Sequence, residues 1–352
     1  MRILLLLLLL APPLASAELP AYRRHPDHAL PLVTVVGASP MTELIDYLVP
    51  FAVLSESRLA EVRALSVDPG PLQLMPALQI EPQASIADFD RKHPEGADYL
   101  VVPAVHDPAE PRLIAWIQAQ AAKGSVLIGI CDGALVLAEA GLLDGRRATG
   151  HWYSRARRQS DYPQVHWQED LRYVVDGPVL TSAGVSAALP ASLALVETLG
   201  GRDQAALLAR RLGVTDWSAR HQSTTFAFGP ADYLQAGAGW VDGLWPERLE
   251  LAVASGADEL ALALAVDAQA RTWRSEVQVT AAAPVITRHG LRLYTQTPAA
   301  NAQRLPPLPK QAADALPLAL KSIEQRHGLG ARRFVALQLE YPDPPSLAIP
   351  HP

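Results

Sequence analysis

Ser125-Val126-Leu127-Ile128-Gly129-Ile130-Cys131-Asp132-Gly133 is the stretch on which the fold turns. A short apolar run ending in glycine reads as a strand buried on both faces of a sheet. Asp132 to Leu143 then keeps helical spacing, so a strand hands over to a helix at Cys131. Gly129-Ile130-Cys131-Asp132-Gly133 has the form Gly-x-nucleophile-x-Gly, whose small flanking residues permit a tight turn that lifts the central side chain above the sheet. A helix start beneath the sulfur offers free N–H groups and a partial positive charge. Both predict a thiolate at Cys131, and the Asp132 amide could hold an oxyanion. The bland alternative is a small cysteine buried at a strand end.

Outward from this turn, strands and helices alternate. Strands are expected at 30–37, 62–67, 72–80, 98–103 and 174–180, and helices at 41–54, 84–91, 113–122 and 187–199, with a kink at Pro50. This alternation predicts an α/β, flavodoxin-like parallel sheet with helices on both faces, and sites at the carboxyl ends of its strands. After about 203 the pattern weakens. Helices are expected at 203–212, 246–271 and 311–327, and short strands at 276–280, 284–294 and 333–340. The expected organisation is a leader over 1–17, a main domain over 18–212, a C-terminal α/β extension over 213–341 and a disordered tail over 342–352.

The run from Ile128 to Ala134, followed by Ala138-Glu139-Ala140-Gly141-Leu142-Leu143-Asp144-Gly145-Arg146-Arg147-Ala148-Thr149-Gly150-His151-Trp152, resembles the ThiJ/PfpI superfamily, of class I glutamine-amidotransferase-like fold. It looks especially like the sensor-type domain found upstream of AraC-like regulators. Thr181-Ser182-Ala183-Gly184-Val185 resembles the family's last strand and turn. The resemblance covers roughly residues 30 to 212 and implies that Cys131 is the reactive residue, with His151 beside it. It also implies an acid on the helix after the first strand, four residues before a proline, which selects Asp46. Glu43 lies one turn earlier on the same helix. The family usually carries glycines after the strand that here ends at Pro103, where amides line an oxyanion site. This chain has Ala104 and Val105 there, so the Val105 amide is a candidate donor and His106 a candidate acid–base group.

Each candidate also has a structural reading. Asp46 and Glu43 could be solvated acids, His106 a loop histidine capped by Asp107, and His151 a ring stacked on Trp152. Trp217 and His221 would share a helix face and act structurally. A metal held by Cys131, His106 and His151 finds no supporting spacing, and phosphate-binding glycine motifs are missing, so no cofactor and no metal are expected. The late His-x-Glu pair of a glutamine amidotransferase and the G-x-S-x-G of a serine hydrolase are also missing.

The 352 residues carry a formal net charge of −6 and show no basic stripe, so nucleic acid is not an expected partner. Arg2, the apolar run Ile3 to Leu10 and Ala15-Ser16-Ala17 read as a cleavable secretory signal, too short to span a bilayer comfortably; an uncleaved anchor is the alternative. A periplasmic or secreted protein is therefore expected, free of the membrane after cleavage. Cys131 is the only cysteine, which excludes an intramolecular disulfide. The partner is a small-molecule substrate or ligand, and the family's habit of dimerising implies a homodimer. Two functions follow. One is a cysteine-dependent hydrolase, hydratase or glyoxalase-like lyase. The other is a redox or ligand sensor that performs no turnover.

Overall fold

The computed structural model describes residues 19–22, 26 and 28–343. The expected leader and the tail beyond 343 lie outside them. At the centre is a seven-stranded sheet. From edge to edge it runs Tyr173–Asp176, Val179–Ser182, Val126–Gly129, Tyr99–Val102, Leu32–Gly37, Glu61–Ser66 and Ala84–Ser85. Every neighbouring pair is parallel except the first, which is an antiparallel hairpin.

Burial on both faces explains the near-continuous apolar strands. Val33 and Val35 enter one core layer while Leu32 and Val36 enter the other. Helices Ile86–Lys92, Pro111–Ala122 and Gly133–Glu139 cover the second layer through Phe89, Trp116 and Leu135. Helices Leu44–Ser57 and Ala188–Gly200 cover the first. Each fully buried Leu or Val contributes about 1.5–3 kcal/mol, so this sandwich is the main source of stability.

The C-terminal extension is built into the same core. Helix Glu259–Ala270 packs on helix Leu44–Ser57, and its Leu260, Leu262 and Val266 belong to one cluster with Leu44, Leu48 and Phe51. Strand Arg292–Tyr294 pairs antiparallel with Gln79–Glu81. A further three-stranded sheet joins Glu247–Ala252 to Ser275–Thr280 and Gln303–Arg304 in parallel. No helix among the described residues is long and apolar enough to cross a membrane.

Several elements differ from expectation. The strand at 174–180 is a hairpin, because Gly177 takes a positive φ of 59° and turns the chain. The strand at 72–80 is likewise two strands, Leu72–Met75 and Gln79–Glu81, outside the central sheet. The helix expected at 246–271 begins as the strand Glu247–Ala252, where parallel pairing outweighs helical spacing. Residues 333–340 are not a strand but mostly the end of helix Ala315–Gln338, which is broken at Gly328 (φ 82°, ψ 173°). Helix Leu44–Ser57 runs unbroken through Pro50. Residues 216–220 form no helix, so Trp217 and His221 do not share a helix face.

Candidate functional site

Cys131 follows the carboxyl end of strand Val126–Gly129 with a φ of 56°, in the left-handed region that non-glycine residues rarely occupy. Two backbone bonds hold the turn, from the Gly133 N–H to the Ile130 carbonyl (2.7 Å) and from Ala134 to Cys131 (3.2 Å). Gly133 is required there. A Cβ would stand 2.0 Å from the Val102 carbonyl oxygen. The Cys131 N–H donates to Ser182 Oγ (3.2 Å), tying the turn to the neighbouring strand.

The sulfur does not become the expected thiolate. Cys131 is only 5% exposed, and burial, then the charges of Asp46, Asp132 and Glu43, push its pKa well above the usual value. The Asp132 N–H hydrogen-bonds the sulfur and opposes the shift, but it is the smallest of these influences and is outweighed. The helix beneath is shorter than expected, Gly133–Glu139, because Gly141 at φ 71° ends the helical run. Its dipole is correspondingly weak.

Asp46 and Glu43 are both buried and both beside the cysteine. Glu43 caps helix Leu44–Ser57, its Oε2 accepting from the Asp46 N–H at 2.5 Å. Asp46 Oδ2 accepts from the Ala104 N–H (3.2 Å), while Oδ1 has no hydrogen-bond partner. Burial first, then the charge of Glu43, raises the Asp46 pKa well above the carboxylate range. Glu43 is pushed up to about 7 by burial and by Asp267, against the pull of Arg271.

Arg271 was missed in the sequence. Its Nη2 donates to Glu43 Oε1 and its Nε to Asp267 Oδ2, both at 2.6 Å. The Asp267/Arg271 pair has i,i+4 spacing, a visible signal, but nothing in sequence ties it to residue 43. Glu340 was missed too. Its buried carboxylate accepts from the N–H groups of Gly184 (2.7 Å) and Trp152 (3.2 Å) and meets His221 Nε2 at 2.8 Å. The C-terminal segment therefore closes on the loops that flank the cysteine.

One of the two candidate histidines is exposed, and the other has both ring nitrogens engaged. His151 is buried and tilted against Trp152 as its structural reading had it, but its ring is occupied. Nδ1 accepts from the Tyr153 N–H (3.2 Å), and Nε2 lies 3.0 Å from the Gln338 carbonyl, to which it donates. Neither nitrogen is left for proton transfer at the sulfur. His106 is exposed, and only its backbone N–H is engaged, with Met41. It stands outside the cluster because the 104–106 segment pairs with 41–43 through a bridge between Thr42 and Val105, which turns His106 outward. Val105 is half-buried in that bridge, and the nearby amide that reaches an acid is that of Ala104, to Asp46. The Asp132 side chain accepts from Ser154 Oγ (2.6 Å), which also takes a bond from buried Arg158 and so braces the turn against the loop of His151.

The sequence profile of the DJ-1/PfpI family matches residues 33–198. Isonitrile hydratase of Pseudomonas putida is 30% identical over 179 residues, spanning 49% of this chain and 74% of that protein. The chain belongs to the DJ-1/PfpI family. The HTH-type transcriptional regulator CdhR of Pseudomonas aeruginosa is 36% identical to this family member over 140 residues, 39% of this chain but only 40% of the regulator's length. A solved structure, Drosophila melanogaster DJ-1beta, aligns with a TM-score of 0.48 and 21% identity over 53% of this chain and 100% of its own. The DJ-1/PfpI family match ends before Arg271 and Glu340, so the residues closing the site come from outside it.

Proposed function

We propose that this DJ-1/PfpI family member is an exported ligand-sensing module, closed over Cys131 by its own C-terminal extension. The observation that carries this reading is the buried sulfur, its pKa pushed up by burial and by Asp46, Asp132 and Glu43, the last of these held in the Glu43–Arg271–Asp267 network. A thiol of raised pKa is a weak nucleophile and a slow target for peroxide, so both nucleophilic turnover and redox sensing are disfavoured relative to ligand binding. A cavity of about 320 Å³ supports the binding role. Ile45, Val49, Val185, Leu264, Leu316 and Tyr341 border it. This mostly apolar space lies between the family-matched part and the extension, on the helix that carries Asp46, and its size suits a small apolar molecule. Occupancy would be read out as a change in how the extension packs. The similarity to a transcriptional regulator supports a sensor, and residues 1–17 support a place outside the cytoplasm.

A second reading rests on Asp46, a buried acid whose Oδ1 is unengaged and whose charge acts on the sulfur, and on the similarity to an isonitrile hydratase. In such a reaction Cys131 Sγ would add to the isonitrile carbon while Asp46 protonates that carbon and takes up the thiol proton, leaving a thioimidate; water would then add to the same carbon, the C–S bond would break, and the two water protons would end on the formamide nitrogen and the returned thiol. The discriminating experiment incubates the protein with an alkyl isonitrile and follows formamide by chromatography. The sensor reading expects none, and slow alkylation of Cys131 by iodoacetamide in the folded protein against fast alkylation in urea. Multiple turnovers that vanish in Cys131→Ser would replace the sensor with the hydratase. N-terminal sequencing of protein from the periplasmic fraction tests export: a mature start near Glu18 is expected, and an intact Met1 would remove that part.

A further inference from the structure

We infer that His28, His93 and Glu95, with Asp98 behind His28, form a site for a divalent transition-metal ion such as zinc. The site lies at the opposite end of the sheet from Cys131. His28 and Asp98 precede the starts of strands Leu32–Gly37 and Tyr99–Val102, whereas Cys131 follows the end of a parallel neighbour.

Local structure brings the ligands together. His93 ends helix Ile86–Lys92 with its ring stacked on Phe89 at 4.9 Å. His93-Pro94-Glu95-Gly96 then forms a tight turn, closed by a bond from the Gly96 N–H to the His93 carbonyl (3.0 Å), with Gly96 at a φ of 96°. The turn puts the His93 ring and the Glu95 carboxylate side by side, with Nδ1 3.1 Å from Oε1. His28 arrives from the segment before the first strand, its Nε2 3.0 Å from the same Oε1. One donor atom from each of the three lies within 4.8 Å of the others. A tetrahedral ion with bonds of about 2.0–2.1 Å separates its ligand atoms by roughly 3.3 Å, close to these spacings.

The geometry around His28 also points to a cation. His28 Nδ1 lies 2.6 Å from Asp98 Oδ2, so both ring nitrogens face carboxylate oxygens. A neutral imidazole has one N–H. If it donates to Asp98, the Nε2 lone pair faces the Glu95 carboxylate, placed to coordinate a cation together with Glu95 and His93. Two neutral imidazoles and two carboxylates balance one divalent ion. Asp98 Oδ2 is itself fixed by the Leu32 N–H (2.7 Å), giving the carboxylate–histidine–metal arrangement that orients a ligating ring. Bound metal would staple the segment before the first strand to the 93–98 loop. Binding replaces the proton on His28 Nε2 and releases it to solvent.

Calorimetry with zinc chloride on the chelator-stripped full-length protein tests this. One saturable ion per chain is expected, with proton uptake by the buffer and a rise in melting temperature. Affinity is expected to fall at least about tenfold in His93→Ala and in Glu95→Gln, about 10–100-fold in Asp98→Asn, and not at all in Cys131→Ser. Glu95→Gln keeps shape and hydrogen bonding, so it stays informative should His93→Ala misfold. No saturable binding would overturn the proposal. So would affinity that is unchanged in Glu95→Gln or lost in Cys131→Ser.

Discussion

Arg271 Nη2 lies 2.6 Å from Glu43 Oε1, a contact that crosses 228 positions of sequence and binds the C-terminal extension to the first turn of the helix beside Cys131. The guanidinium is shared with Asp267, so one cation serves two fully buried acids.

Removing that cation strands both carboxylates. Arg271→Met is expected to lose about 3–5 kcal/mol in urea unfolding, the usual effect of breaking a buried pair. Adding Glu43→Gln to it should recover part of the loss, because the two changes act on one network. Additive losses in the double variant would show that the residues are not coupled.

Asp46 raises the thiol pKa by its charge. In Asp46→Asn the pH midpoint of Cys131 thiolate absorbance should therefore move down, and iodoacetamide should react faster at neutral pH. An unchanged or higher midpoint would contradict the placement of Asp46 beside the sulfur.

Gly133→Ala tests the turn. The added Cβ meets backbone at 2.0 Å, which cannot swing aside as a flexible side chain would. Destabilisation above about 4 kcal/mol, or insoluble protein, is expected. Gly141→Ala provides a contrast, since open space surrounds that position and only the φ of 71° opposes the change. A loss of about 1–2 kcal/mol is expected there.

The buried acids make stability depend on pH. Glu43 is pushed up to about 7, and Asp46 and Asp267 are raised as well. Between about pH 4 and 7 the folded chain keeps protons that the unfolded chain has released. Their contribution is full below the unfolded values and declines as pH rises through about 7. The urea midpoint should fall over that range, and Glu43→Gln should flatten the fall. A rise in the midpoint over the same range, kept in the variant, would count against it.

Glu340 secures the closing segment. Glu340→Ala leaves the Gly184 and Trp152 N–H groups without their acceptor, an expected loss of about 2–3 kcal/mol. If the segment covers the site, Cys131 should also alkylate faster in this variant under native conditions.

Much of the first half was legible along the chain. The strand to Gly129 and the turn at Cys131 are local matters of spacing and glycine placement, and the acid at Asp46 came from the family resemblance, by its position relative to Pro50. The hairpin at 173–182 was harder, since an apolar run interrupted by Gly177-Pro178 differs from one strand only by a backbone angle. His151 stood at the right distance along the chain, yet its ring is taken by Tyr153 and Gln338. His28, His93 and Glu95 gave no metal spacing because their meeting depends on two segments 65 or more residues apart.

Apolar periodicity and the small residues around Cys131 were enough to specify the layered α/β sheet and where its turn would lift a sulfur, because those depend on near neighbours. The state of that sulfur was decided by folding alone. Burial and the charges of Asp46, Asp132 and Glu43 override a short helix's dipole, and their strength depends on distances in space and on lost contact with water, which a linear order of residues does not contain.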